Sequence, residues 1–139
     1  MNIIIILIIY MIKLFFYLVN LLFVVFYLYP GSILGKIIYD DFTKQPQLSD
    51  DFTFANVYIS SNHFYVFTII SVIGFYIYLK KSMKPITFYL FTISLVLEIL
   101  HIIIPNRSFQ FSDIVGNFLG VLIILILFYT YFYAKKFFN

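Results

Sequence analysis

A short stretch in the second half of the sequence holds most of the residues that could do chemistry. Residues 97–120 read LEILHIIIPNRSFQFSDIVGNFLG and include Glu98 and Arg107, the sole glutamate and the sole arginine of the chain. A guanidinium group binds phosphate or carboxylate through paired hydrogen bonds, and a desolvated carboxyl group can act as a general acid or base. The polar candidates are Glu98, His101, Arg107, Asp113, Asn117 and the earlier His63.

Other catalytic chemistries find less support in the sequence. The chain has no cysteine, which excludes thiol catalysis, thiolate metal sites and disulfides. Glu98 and His101 form one Glu-x-x-His motif, whereas dinuclear carboxylate sites in helix bundles need that motif twice, with further glutamates. A mononuclear site that adds His63 and Asp113 to this pair is geometrically conceivable, but no spacing favours it. We therefore expect neither a metal ion nor another cofactor.

The composition indicates that these residues belong to a membrane protein. Of the 139 residues, 63% are apolar and 11% are charged, against about 25% charged in soluble domains. A helix needs about 20 apolar residues to cross a bilayer. We predict one all-α domain over residues 1–139, an integral membrane four-helix bundle. The predicted spans are about 10–29, 63–79, 86–104 and 113–134; the first either carries Lys13 snorkelling to the interface or tilts.

The lysines predict the orientation of these spans. Lysines follow spans two and four, at Lys80, Lys81, Lys84, Lys135 and Lys136. Loop 30–62 carries two lysines against four aspartates. Because positive residues favour the cytoplasmic side, we predict both termini in the cytoplasm and loops 30–62 and 105–112 outside. The chain would then be a multi-pass protein of the bacterial cytoplasmic (inner) membrane, in contact with membrane lipids.

The long outer loop is expected to contain a short interfacial helix. Apolar residues recur there at helical spacing, at Ile33, Leu34, Ile37 and Ile38. An amphipathic segment of this kind can lie in the plane of the membrane interface. The following segment, TKQPQLSDD, is typical of a polar turn.

The spans bring the polar candidates to one depth. Span three runs outward, so Glu98 lies roughly 10 Å below its outer end at a rise of 1.5 Å per residue. His101 follows at i+3 on nearly the same face. Asp113 opens span four with Asn117 one turn deeper, and His63 opens span two. We therefore predict an outward-facing polar cluster.

Each member also has a purely structural interpretation. Asp113 could cap span four, worth ~1 kcal/mol, and Asn117 could form an interhelical hydrogen bond. Arg107 could be an interfacial anchor. Gly116 and Gly120 form a GxxxG pair, which we interpret as a close helix-packing face.

The order of these residues resembles the signature of the VanZ-like family of small bacterial membrane proteins. That signature is E-x-x-Q, then P-x-R, then D-x-x-x-N-x-x-G; this chain has EILH at 98–101, PNR at 105–107 and DIVGNFLG at 113–120. His101 stands where the family has Gln, and Ser61 and Asn62 replace the Asp-Lys that precedes the family's histidine. The resemblance covers about residues 14–134. It implies a cell-envelope protein linked to susceptibility to the glycopeptide teicoplanin.

The sequence is consistent with three functions. The first is a non-enzymatic site for a polar headgroup, such as a phospholipid, a lipid-linked wall precursor or a glycopeptide, with Arg107 as the anion ligand. The second is a membrane-embedded enzyme acting on an envelope lipid, with Glu98 as general acid or base and Arg107 as oxyanion stabiliser. The third is a structural partner subunit. No feature indicates a nucleic-acid partner, and the oligomeric state stays open.

Overall fold

The computed structural model describes residues 3–78 and 82–138, which are mostly helical. Four long helices, one short helix and a small hairpin form in this part of the chain. In order they are α1 (Ile3–Leu28), α2 (Ile33–Tyr39), β1 (Phe52–Phe54), β2 (Val57–Ile59), α3 (Ser61–Tyr78), α4 (Lys84–Leu100) and α5 (Phe111–Phe138). Lys80 and Lys81, used above to orient the spans, lie outside the described residues.

Two glycines set the closest helix pair, α3 with α5. A Cβ on Gly116 would lie 2.6 Å from the carbonyl oxygen of Ser60, and one on Gly120 would lie 2.6 Å from that of Phe64. Both distances are far below van der Waals contact, so any side chain here would push the helices apart. The GxxxG pair thus faces α3 of the same chain, as small residues do at close helix crossings.

An aromatic and aliphatic core fills the space between the four long helices. Its buried members include Phe16, Phe67, Phe75, Leu90 and Val121. Helix α4 packs on both α3 and α5, and α1 lies across α3 and α4. The core therefore fixes the relative positions of the helix ends, where the polar candidates lie.

Two helices are long and apolar enough to cross a membrane, Ile3–Leu28 and Phe111–Phe137. Only 11% and 33% of their most apolar windows are buried inside the protein, so most of that apolar surface faces outward. Helices α3 and α4 have 18 and 17 residues, which corresponds to roughly 26–27 Å at 1.5 Å per residue. That is slightly less than the hydrocarbon core of about 30 Å.

The helix bounds differ from the predicted spans by a few residues at most ends, and most of all at three places. Helix α1 begins at Ile3 and not near residue 10, and α5 continues to Phe138. Helix α4 ends at Leu100, four residues before the predicted end at 104. The next three N–H groups bond to carbonyls three residues back, the tighter geometry that often closes a helix. This tight turn sets His101 beside Glu98.

The outer loop contains both an expected and an unexpected element. Helix α2 forms where the sequence predicted a short helix, with the Ser32 hydroxyl accepting from the Gly35 N–H at 2.9 Å. The antiparallel hairpin of β1 and β2 departs from the all-α prediction. Its turn residues Ala55 and Asn56 have φ of 48° and 65°, as the favoured two-residue hairpin turn requires. The alternating FTF and VYI segments flanking this turn were the signal for it.

Candidate functional site

Six side chains converge where the four long helices meet at one end. We call this group the Tyr27 cluster: Tyr27 of α1, His63 of α3, Glu98 of α4, His101 directly after α4, and Asp113 and Asn117 of α5. Five of the six predicted site residues are members; Arg107 is not. Tyr27 is the member that the sequence did not identify.

The Tyr27 hydroxyl is the centre of the cluster. It donates to Glu98 Oε2 at 2.9 Å and accepts from Asn117 Nδ2 at 3.1 Å. Its oxygen also lies 2.8 Å from His63 Nδ1. One hydroxyl therefore joins α1 to the three other long helices. The sequence offered little signal for this, because the chain has 13 tyrosines and tyrosine is common at span ends.

The two histidines each face a carboxylate with one ring nitrogen. His63 Nε2 lies 3.3 Å from Asp113 Oδ2, and His101 Nδ1 lies 3.3 Å from Glu98 Oε2. The other nitrogens are also engaged: His63 Nδ1 lies 3.2 Å from Asn117 Oδ1, and His101 Nε2 lies 2.9 Å from the Tyr27 carbonyl oxygen. The His101 ring further stacks on that of Tyr27, with centroids 4.7 Å apart.

Glu98 is fully buried, with 0% of its surface exposed. Burying a carboxylate is costly unless hydrogen bonds replace its hydration. Here the Gln110 backbone N–H donates to Oε1 at 2.8 Å, while Tyr27 and His101 lie on Oε2. The segment after α4 therefore folds back to support the glutamate, which explains how the chain tolerates it.

Arg107 lies apart from the cluster and binds the end of α1. Its Nε donates to the Tyr29 carbonyl at 3.1 Å and its Nη2 to the Phe26 carbonyl at 3.2 Å, as basic side chains do at helix C-termini. Burial lowers the pKa of Arg107, although nearby tyrosine and carboxylate groups act to raise it. Among the described residues Arg107 forms no ion pair, so its guanidinium is held by backbone carbonyls and not by Glu98 or Asp113.

Two clefts connect the cluster to the surface beside the loops. The polar cleft, of about 180 Å³, is lined by His63, Asp113, Asn62, Gln110, Gln45 and Asp51, among others. The mixed cleft, of about 170 Å³, is lined by Tyr27, His63, His101, Arg107 and apolar neighbours including Phe26 and Leu34. His63 borders both clefts. Arg107 thus shares a cleft with cluster members, although its hydrogen bonds go to carbonyls of α1.

A larger cavity of about 310 Å³ lies elsewhere, against Phe16, Tyr17, Tyr78, Ile86 and Tyr89. Tyrosines supply its polar groups, whereas the two clefts adjoin imidazole, carboxylate and guanidinium groups. Those groups can transfer protons and bind charged ligands, so we place the candidate site at the Tyr27 cluster.

Comparison with known proteins adds no family or function to this geometry. No protein-family model matches the chain, and no curated protein or solved structure shows significant similarity to it.

Proposed function

We propose that the chain is a VanZ-like protein of the bacterial cytoplasmic membrane that binds a polar envelope headgroup. In this proposal α1, α3, α4 and α5 all cross the membrane, and the Tyr27 cluster faces outside. The apolar outer surfaces of α1 and α5 support the membrane location. Lys135 and Lys136 in the last turn of α5, at the end opposite Asp113, support the orientation through the positive-inside bias.

One observation carries the proposal: the convergence of ionisable residues from four apolar helices beneath two open clefts. Ionisable residues within membrane segments are rare, and they usually mark ligand or ion sites. A cluster that only held the helices together would need no access from the surface. Here His63 borders both clefts.

Arg107 supplies the anion-binding part of the site. Its two bonds to α1 carbonyls hold the guanidinium in place and leave further N–H groups for a phosphate oxygen. Apolar residues of the mixed cleft, such as Phe26 and Leu34, suit the adjoining part of a lipid. Hydroxyl or amine groups of the headgroup would then reach His63 and Asp113 through the polar cleft.

Binding to the purified protein in detergent tests this function. Short-chain phosphatidylglycerol, a polyprenyl-linked wall precursor and teicoplanin would each be titrated against wild type and Arg107→Ala. We expect Arg107→Ala to weaken at least one of these probes about tenfold, or ~1.4 kcal/mol. Lys36→Ala is the matched control, because Lys36 is a loop cation paired with Asp40. Equal affinities of wild type and Arg107→Ala for every probe would overturn the proposal.

A second candidate, an enzyme acting on the same lipid, draws on one specific contact. The Tyr27 hydroxyl touches both an imidazole and a carboxylate, which are the usual groups of general acid–base catalysis. Turnover of a wall-precursor lipid that disappears in a folded Glu98→Gln protein would favour the enzyme. Binding without turnover in wild type would favour the headgroup site.

A further inference from the structure

The hydrogen bonds around Tyr27 determine where His63 carries its proton. The single hydroxyl proton of Tyr27 is donated to Glu98, so the Tyr27 oxygen can only accept from its other neighbours. His63 Nδ1, 2.8 Å away, must therefore be a donor. The Asn117 Oδ1 atom, 3.2 Å from the same nitrogen, is also an acceptor and agrees with this assignment. The remaining nitrogen of His63, Nε2, then faces Asp113 Oδ2 at 3.3 Å.

The contacts of His101 also determine where its ring carries a proton. Its Nε2 lies 2.9 Å from the Tyr27 carbonyl oxygen, which can only accept, so Nε2 carries a proton. Its Nδ1 then faces Glu98 Oε2 at 3.3 Å. In both pairs a nitrogen lone pair would repel a carboxylate oxygen unless a proton or a cation lies between them. In the His63–Asp113 pair a divalent cation between the two atoms would remove this repulsion.

Three potential metal ligands lie close together around His63. One ligand atom each of His63, Glu98 and Asp113 lie within 4.8 Å of one another, and all three residues are buried. The 3.3 Å between His63 Nε2 and Asp113 Oδ2 matches the edge of a tetrahedron with zinc bonds of about 2.0–2.1 Å, which is ~3.3 Å. Metal-bound histidines usually hydrogen-bond through the other ring nitrogen, as His63 does with Tyr27 and Asn117.

We propose that His63, Glu98 and Asp113 bind one divalent transition-metal cation, with Zn²⁺ the best match to one imidazole and two carboxylates. An imidazole ligand disfavours Mg²⁺ and Ca²⁺, which prefer oxygen. Three protein ligands leave a further coordination position, and the polar cleft beside His63 and Asp113 gives access to it. The inference rests on the proposed function only in that a hydroxyl or amine group of the headgroup would bind there; cation binding itself needs no lipid.

Metal content of wild-type protein in detergent, free of added lipid, is the primary test. After incubation with Zn²⁺ and desalting, we expect one Zn²⁺ per chain. With Co²⁺ in its place we expect the intense visible absorption bands of a four-coordinate nitrogen–oxygen site. Folded protein that retains no Zn²⁺, or Co²⁺ bands of the weak octahedral type, would overturn the proposal.

Variants then locate the cation. His63→Ala and Asp113→Asn should weaken Zn²⁺ binding by 100-fold or more, since each removes a ligand. Tyr27→Phe should weaken it roughly 10–100-fold by releasing the His63 ring. Asp50→Asn, a loop carboxylate outside the cluster, is the control and should bind as wild type does. Retention of Zn²⁺ by both ligand variants would overturn the assignment.

Two further readouts keep the test decisive. Circular dichroism shows whether each variant folds, and if His63→Ala does not, the wild-type Co²⁺ spectrum decides. The lipid titration separates the two proposals. If wild-type protein retains no Zn²⁺ but binds lipid in an Arg107-dependent way, the cation site is overturned and the proposed function stands. Zn²⁺ binding without affinity for any lipid probe would overturn the proposed function and leave the cation site standing.

Discussion

Buried polar groups find different hydrogen-bond partners at the two ends of the helix bundle. At the end opposite the Tyr27 cluster, Tyr89 donates to Asn20 Oδ1 at 2.9 Å, and Asn20 Nδ2 donates to the Phe16 carbonyl at 2.7 Å. These neutral groups satisfy each other and link α1 to α4. At the other end, Tyr27 links α1 to three helices and sits among two carboxylates and two imidazoles.

The difference separates a structural contact from a candidate site. A neutral pair such as Asn20 and Tyr89 is sufficient to fix helix register in a membrane. The Tyr27 cluster exceeds that need, because it carries groups that can change charge and it lies beside two clefts. Ionisable side chains and access from the surface, more than burial alone, therefore distinguish the candidate site from the structural contact.

The largest effect is expected for Glu98→Ala. The substitution removes the acceptor of the Tyr27 hydroxyl and the Gln110 N–H, and the carboxylate beside His101. Breaking such a buried arrangement costs about 3–5 kcal/mol of unfolding free energy. Ser94→Ala is the control on the same helix, since the Ser94 hydroxyl bonds only to a carbonyl of its own helix in the described structure. Denaturant unfolding in mixed micelles measures both; similar losses would contradict the central role of Glu98.

Substitution of Gly120 should have the next largest effect. In Gly120→Ala the new Cβ would lie 2.6 Å from the Phe64 carbonyl oxygen, whereas in Gly74→Ala it would meet the Ile86 side chain at 3.2 Å. A side chain can move more easily than a backbone. We expect a loss of about 1–3 kcal/mol for Gly120→Ala from overpacking, and a smaller one for Gly74→Ala. Thermal unfolding of the two variants would show the difference, and the opposite order would contradict the close α3–α5 contact.

The two tyrosines allow a matched test of stability at the two ends. Tyr27→Phe leaves Glu98 Oε2 without its hydroxyl donor and should cost about 1–3 kcal/mol. Tyr89→Phe removes one bond to Asn20 and should cost about 0.5–1.5 kcal/mol. Unfolding of both proteins under one condition checks the ranking. A larger loss for Tyr89→Phe would show that the Tyr27 hydroxyl is not the centre of its cluster.

The smallest effect on stability is expected for single-cysteine substitutions that test the orientation of the chain in the membrane. The chain has no cysteine, so a single Thr53→Cys or Ser82→Cys substitution gives one labelling site in an exposed position. Stability should be unchanged. In intact cells a membrane-impermeant maleimide should label residue 53 in the hairpin and not residue 82 before α4. Labelling at 82 alone would reverse the proposed orientation.

The sequence predicted the long helices well because long apolar runs and prolines mark them. Helix α4 (Lys84–Leu100) nearly coincides with the segment from Pro85 to Pro105, although the last residues of that segment turn more tightly than an α-helix. The hairpin was missed because six residues between polar turns carry little periodicity. Its local signals were the short alternating FTF and VYI segments and the turn at Ala55 and Asn56.

The site was predicted in part, for a physical reason. Spacing brings Glu98 and His101, and likewise Asp113 and Asn117, onto common helix faces. Spacing cannot show which α1 side chain meets them, so Tyr27 was not identified. Nor does it show that Arg107 would turn toward the carbonyls of α1, because those acceptors belong to the backbone and have no signature in the sequence.

Headgroup affinity in the two tyrosine variants tests the central claim most directly. Tyr27 lines the mixed cleft together with Arg107, whereas Tyr89 lies at the other end of the bundle. We predict that folded Tyr27→Phe binds the most tightly held of the three headgroup probes about tenfold more weakly than wild type, or ~1.4 kcal/mol, and that Tyr89→Phe binds it unchanged. Equal affinities of the two variants would contradict a binding role for the Tyr27 cluster and leave it a structural network.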